Sequence, residues 1–321
     1  MYISARHHAN LIRSVSLMLM FVFHFPASPL KTGSKAFASV PLSHPLSIKS
    51  CYDYRCVGSV GEPDMSVVTS SPGNPVTTGY EKSDAQNTAD NNARSVFEEL
   101  DRRRSSAEYE YATMIMTIHN ARGRTRTREL STWNVNRDEA TKQLIFFESP
   151  ADVRGTGLLT VTENGTETQR IYLPAVGRVQ TIGASQRSDR FMGSDFTYED
   201  LGQQDPDQFD FTELDRNSER ILLEAIPRRN SQYERIHFYI DPNRYLLLEA
   251  EYFNPEGKVF KRLELHDYSN IIDELWRPGL MVMFDLENGR KTELLWTDRT
   301  LNEPIPDDYF TDRQLRRGNP R

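Results

Sequence analysis

The chain has 321 residues and a formal net charge of -7, which becomes -9 from Ser95 onward. An acidic chain is poorly matched to a phosphate backbone or to an anionic membrane surface as its main partner, so no nucleic-acid role is expected. Both cysteines, Cys51 and Cys56, precede residue 90, and only His119, His237 and His266 follow it, which leaves little material for a thiol, imidazole or zinc centre.

In chain order, Arg6 and Arg13 come before SVSLMLMFVFHF at 14 to 25, an apolar run too short for a standard membrane span. Residues 1–38 therefore read as a secretory signal, with cleavage after Ala27 or after Ala38, or as an uncleaved N-terminal anchor. Residues 39–90 are rich in Ser, Pro, Gly, Thr, Asn and Asp, too polar to offset their ordering entropy, and are expected to be a disordered linker. The string IKSC at 48 to 51 is a poor lipoprotein signal, because Lys49 does not suit it and the apolar run lies far upstream. Cys51 and Cys56 are either incidental or form a local disulfide.

The candidate domain spans 91–321. Asp90 or Asn91 is expected to cap a helix from about 92 to 104 with Ala93, Val96, Phe97 and Leu100 on its buried stripe. Period-two segments follow. In 108–119 Ala112, Met114, Met116 and Ile118 share one face, and after a turn at 120–123 the RTRTREL run completes a hairpin with one wet side. Further strands are expected at 142–148, 157–163, 168–173, 178–182, 209–214, 220–226, 233–240, 244–253, 258–268, 279–287 and 291–297. Asn164-Gly165, Asp241-Pro242-Asn243, Asn254 to Gly257 and Asn288-Gly289 supply turns between them. Strands joined by short turns without helices between them point to an antiparallel barrel or sandwich rather than an α/β enzyme.

Three compact motifs interrupt this pattern: PADVRGTGLL at 150 to 159, YLPAVGRVQTI at 172 to 182 and FMGSDFTYEDL at 191 to 201. Gly155 and Gly157 suit a bend or bulge on the approach to a strand, and Pro174 and Gly177 suit a turn. Arg154 is free to meet a lipid phosphate or to pair with Asp152 or Glu148, and Arg187 and Arg190 read either as a head-group site or as solvated loop charges. Ser194 or Asp195 is expected to cap a short helix holding Phe196, Thr197, Tyr198 and Leu201, either a lid or a static plug. Asp195, Glu199 and Asp200 are poorly spaced for a common metal.

These motifs, with MTIHNARGRTRTREL at 116 to 130 before them and PDDYFTDRQL at 306 to 315 after them, resemble runs of the LolA-like outer-membrane lipoprotein-sorting proteins. The resemblance implies a mainly β fold, a half-open antiparallel β-barrel of about 11 strands with helices packed at its mouth. It also implies a periplasmic carrier without chemistry or cofactor, which binds lipoprotein acyl chains, lipid or another hydrophobic molecule. As partners it implies an RND-type or other lipid-exporting membrane transporter, with the carrier itself a monomer. The expected cavity and lid residues are Met114, Met116, Ile118, Phe191, Met192, Phe196, Tyr198, Phe238, Leu248 and Phe284; flexible methionines adapt to chains of varied shape. The alternative is a periplasmic scaffold or accessory subunit of a membrane transporter, with a filled core and no ligand. A hydrolase finds no nucleophile elbow and no marked carboxylate pair.

Overall fold

Alternation runs longest in β1 (Tyr109–His119), where Ala112, Met114, Met116 and Ile118 are buried on one face and Tyr111, Thr113, Ile115 and Thr117 are only half-buried on the other. The computed structural model describes residues 84–137 and 140–321, with side chains from Asn92, all within one compact unit. The leader, most of the linker, Cys51 and Cys56 lie outside the described residues.

From β1 the chain steps outward through β2 (Thr125–Arg137), β3 (Ala140–Ser149), β4 (Gly157–Glu163), β5 (Thr166–Leu173) and β6 (Arg178–Thr181), each antiparallel to the last. The turn between β4 and β5 is the Asn164-Gly165 pair, both at positive φ (50° and 70°), the backbone that a two-residue hairpin needs. A crossover at 182–208 then carries the chain to the far edge. From there β7 (Phe209–Arg216), β8 (Ile221–Pro227), β9 (Arg235–Ile240), β10 (Leu247–Phe253) and β11 (Val259–His266) step back inward. A small hairpin of β12 (Ser269–Ile272) and β13 (Leu275–Arg277) precedes β14 (Leu280–Asp285), and β15 (Arg290–Leu301) returns beside β1. The result is a 13-stranded antiparallel sheet whose edges β6 and β7 are not bonded to each other. The sheet is open, in keeping with the expected half-open form, but it has 13 strands where about 11 were expected.

The inner face is covered by α1 (Asp84–Arg104) and by the crossover. Phe97 of α1 stacks on Phe211 at 4.7 Å between ring centroids and tilts against Phe238 at 5.3 Å, contacts that add to simple burial. Asp90 and Asn91, expected as caps, lie inside this helix. No Gly or Pro interrupts 84–91, and a local capping preference is weak against uninterrupted helix propagation.

The outer face is sealed by the C-terminal segment. Ile305, Phe310 and Leu315 pack on Trp133, Leu144, Phe146 and Leu159, and Thr311 caps the short α2 (Asp312–Arg317) by accepting from the Gln314 N–H at 3.2 Å. So α2 lies behind the sheet rather than at a mouth. Gly157 allows this closeness: a Cβ there would stand 2.5 Å from Phe146 Cε1 and 2.9 Å from Leu315 Cδ2.

Candidate functional site

Strand register sorts the inner face into rows. Across β1 to β4 one row holds Glu110, Asn134, Gln143 and Thr160; the next holds Ala112, Thr132, Ile145 and Leu158; the next holds Met114, Leu130 and Phe147. On the other wing Leu294, Met281 and Leu265 form a row, and Met283 pairs Leu263. Polar side chains therefore collect at one end of the strands while the rows behind them are mainly apolar.

A cavity of about 440 Å³ lies on this face. Met114, Met116, Leu130, Ile145, Met283 and Leu294 are among its apolar lining; Glu110, Asn134, Gln143 and Thr160 form its polar end, beside Arg277 of β13 and Arg299 of β15. Gln143 Oε1 and Thr160 Oγ1 are buried without a hydrogen-bond partner among the described residues. Burial pushes the Tyr268 hydroxyl well up and the Arg299 guanidinium down, the latter also through the neighbouring charge of Arg277.

The crossover closes one end. FMGSDFTYEDL does not form the expected helix after Ser194. It begins with a single 3-10 turn at Phe191–Gly193 and folds back on itself, the Phe191 N–H donating to the Phe196 carbonyl at 2.8 Å. Met192 (φ 50°) and Gly193 (φ 74°) both take positive φ, which ends any helix before it can propagate. Its three carboxylates act as latches. Asp195 takes a bond from Arg290 Nε at 3.0 Å and from Thr292 Oγ1 at 2.7 Å, and pairs with Arg190, which also reaches Asp285. Glu199 holds Ser231 and Gln232. Asp200 pairs with buried Lys261 and accepts from the Tyr233 hydroxyl. Burial, reinforced by Asp200, drives the Tyr233 hydroxyl far above its ordinary range.

Of the side chains that the sequence suggests for cavity or lid, Met114, Met116, Phe191 and Phe196 line the cavity. Ile118, Tyr198 and Phe238 are buried in the same inner cluster but away from the cavity wall, and Met192 packs against that cluster half-buried, its carbonyl accepting from Arg128 at 2.6 Å. Leu248 is half-buried where a register shift between Leu247 and Glu249 breaks the alternation, and Leu247 takes the place at the cavity. Phe284 alternates with Met283, so it stands on the outer face while Met281 and Met283 face inward. Arg187 pairs with Glu167 at 2.9 Å, and Arg154 donates to the Glu148 carbonyl at 2.9 Å, so these arginines and Arg190 are structural ties. Glu110, Arg277, Arg299, Trp276 and Trp296 were not legible as cavity residues. The one signal was Glu110 itself, a charge sharing the face of Ala112, Met114 and Met116.

Among the described residues no group of three or more His, Cys, Asp or Glu could hold a metal, and no helix is long and apolar enough to cross a membrane.

The model of a family described as uncharacterized protein-like matches residues 139–317. A search of curated proteins returns no match. A crystal structure of a domain named for outer membrane lipoprotein sorting, from Vibrio parahaemolyticus, is 28% identical with a TM-score of 0.67, over 70% of this chain and 99% of that one. A DUF1329 family protein from Desulfovibrio piger is 24% identical with a TM-score of 0.66, over 71% and 99%. A LolA superfamily protein from Nitrosomonas europaea is 18% identical with a TM-score of 0.55, over 68% and 97%, and shares the fold. The chain therefore belongs to the family of that model, and it shares the fold of the lipoprotein-sorting domain and of the LolA superfamily protein, whose motifs it also resembles.

Proposed function

We propose that the protein is a non-enzymatic periplasmic carrier that shelters lipoprotein acyl chains, a lipid or another hydrophobic molecule in the inner cavity on the way toward the outer membrane. The observation that carries this reading is the cavity itself: about 440 Å³, floored by Met, Leu and Ile side chains and roofed by α1 and a latched crossover. That volume falls within the range of about 300–1,000 Å³ typical of small-molecule sites. Each methylene moved from water to such a surface gains about 0.8 kcal/mol, so a mobile carrier needs a wall of this kind. The name of the Vibrio domain supports lipoprotein sorting as the setting. In that setting a lipid-exporting membrane transporter is the partner that loads or unloads the carrier.

The test is native mass spectrometry with organic extraction on the full chain, purified without detergent from an exporting Gram-negative host. A co-purifying acyl-bearing mass, absent from an Ile145→Trp variant that fills the cavity and still folds, is the expected result. A clean apo mass with no uptake of added lipid or lipopeptide would overturn the reading.

A further inference from the structure

The polar end of the cavity carries more positive charge than its own fold uses. Arg277 Nε donates to Glu110 Oε2 at 2.9 Å, and Arg299 Nε stands 2.8 Å from Glu110 Oε1, so two guanidiniums share one carboxylate. Their side chains are 9% and 11% exposed, and that of Glu110 is 10%. The other charges of the cavity wall do not alter the balance. Arg104 is matched by Asp101 at 2.7 Å and Asp200 by Lys261; Glu99 is shared by Arg103 at 2.6 Å and Arg102 at 2.7 Å, and Asp307 by Lys142 and Arg137 at 3.3 Å, but Arg102 and Asp307 stand in solvent, as does Glu274 on the hairpin. Glu110 paired with either arginine alone would be neutral; the second buried guanidinium, that of Arg299, which also donates to the Pro278 carbonyl at 3.3 Å, leaves the cluster one positive charge in excess at a desolvation cost.

We propose that this end of the cavity is a head-group site, and that its ligand is an acyl-bearing amphiphile whose anionic head, phosphate or carboxylate, sits between Arg277 and Arg299. The inference rests on the carrier reading and narrows it to anionic cargo. Guanidiniums present planar donor forks that match both heads. An anion here relieves the like-charge contact that, together with burial, lowers the Arg299 pKa. Trp276 and Trp296 flank the arginines in the cavity wall, Arg299 lying 5.3 Å from the Trp296 ring centroid, and they offer apolar surface at the depth where head meets tail. The row of Asn134, Gln143 and Thr160 continues the polar end, and the unmatched Gln143 Oε1 and Thr160 Oγ1 add sites for the hydroxyls or waters that accompany such a head. Met114, Leu130 and Ile145, in the rows behind, receive the tail.

The experiment is a titration of the full chain with decyl phosphate, decanoate and decanol below their aggregation limits, read by tryptophan fluorescence, with inorganic phosphate as a further arm. Trp276 and Trp296 line the cavity, whereas Trp133 is buried on the outer face and serves as a constant background. At least one anionic ligand is expected to bind about tenfold or more tightly than decanol, the size of one charge-assisted contact. Arg299→Gln, which leaves a balanced Arg277–Glu110 pair, should erase that preference by weakening the anionic ligands about tenfold more than decanol; Arg277→Gln serves if the first variant does not fold. Preference for phosphate over carboxylate marks a phospholipid-type head, and the reverse a fatty-acid-type head. Equal affinity for all three chains overturns the head-group site and leaves the carrier standing. Binding of inorganic phosphate as tight as decyl phosphate overturns the amphiphile in favour of a free anion, and no binding by any chain overturns both.

Discussion

Asp195 and Thr292, 97 positions apart, hold each other twice: the Asp195 N–H donates to Thr292 Oγ1 at 2.9 Å, and that hydroxyl donates to Asp195 Oδ2 at 2.7 Å. The Asp195 side chain and the Thr292 residue are both fully buried, and the same carboxylate collects Arg190 and Arg290. The crossover is therefore fastened to β15 at the end of the strands away from the polar end of the cavity.

Removing this carboxylate leaves two guanidiniums without their shared partner. Asp195→Ala is expected to destabilise by about 1–3 kcal/mol, since the arginines it leaves are partly exposed and Arg190 keeps Asp285, and Thr292→Val by about 1–3 kcal/mol through the unmet Asp195 groups. Denaturant unfolding of both variants and of the double variant measures this; additive losses would deny the coupling.

Lys261 and Asp200 form the second latch, with side chains 6% and 4% exposed. Lys261→Met should cost about 3–5 kcal/mol because Asp200 is then buried without a cation. Asp200→Asn in the same chain should recover much of that loss. Failure to recover would show that packing, not charge, is what Lys261 supplies.

Acid should loosen Asp285, the β14 carboxylate that Arg190 also reaches, only late. Burial by itself would raise the Asp285 carboxyl, but hydrogen bonds from Asn288 and pairing with Arg190 outweigh it and hold the group below its ordinary value of 3.8. A depressed folded pKa means that its stabilisation is complete above about pH 4 and is lost as pH falls through the lower folded value. The stability gap between the native chain and Asp285→Asn should thus stay constant from neutral pH to about 4 and close below it. A gap that closes near neutrality would contradict the assignment.

Gly157 is predicted to tolerate no side chain. Gly157→Ala would drive a methyl into Phe146 and Leu315 and should cost about 1–3 kcal/mol, while ligand uptake on the inner face remains intact. Thermal unfolding and the fluorescence titration separate the two effects.

Much of the sheet was legible in the sequence, because a period of two is written by each strand alone. The segment 157–163 matches β4 residue for residue, and the Met114, Met116 and Ile118 face of β1 is the inner face. The helix stripe of Ala93, Val96, Phe97 and Leu100 is buried as its spacing implies. Less local features were not legible. FMGSDFTYEDL has the composition of a capped helix, but Asp195, Glu199 and Asp200 find partners in distant strands that outweigh a cap. Phe284 and Met283 are equally apolar, and only pairing with β11 and β15 decides which faces inward.

The sequence by itself determined the class of this protein, an antiparallel chain whose motifs resemble those of the LolA-like family, because side-chain alternation and turn chemistry act over a few residues. Only the tertiary structure decided which two strands form the open edges, that the cavity has a cationic end, and that Glu110 must serve two arginines. Those properties depend on the pairing of β1 with β15 and on the course of the crossover. Contacts between residues more than 90 positions apart leave no periodic trace along the chain.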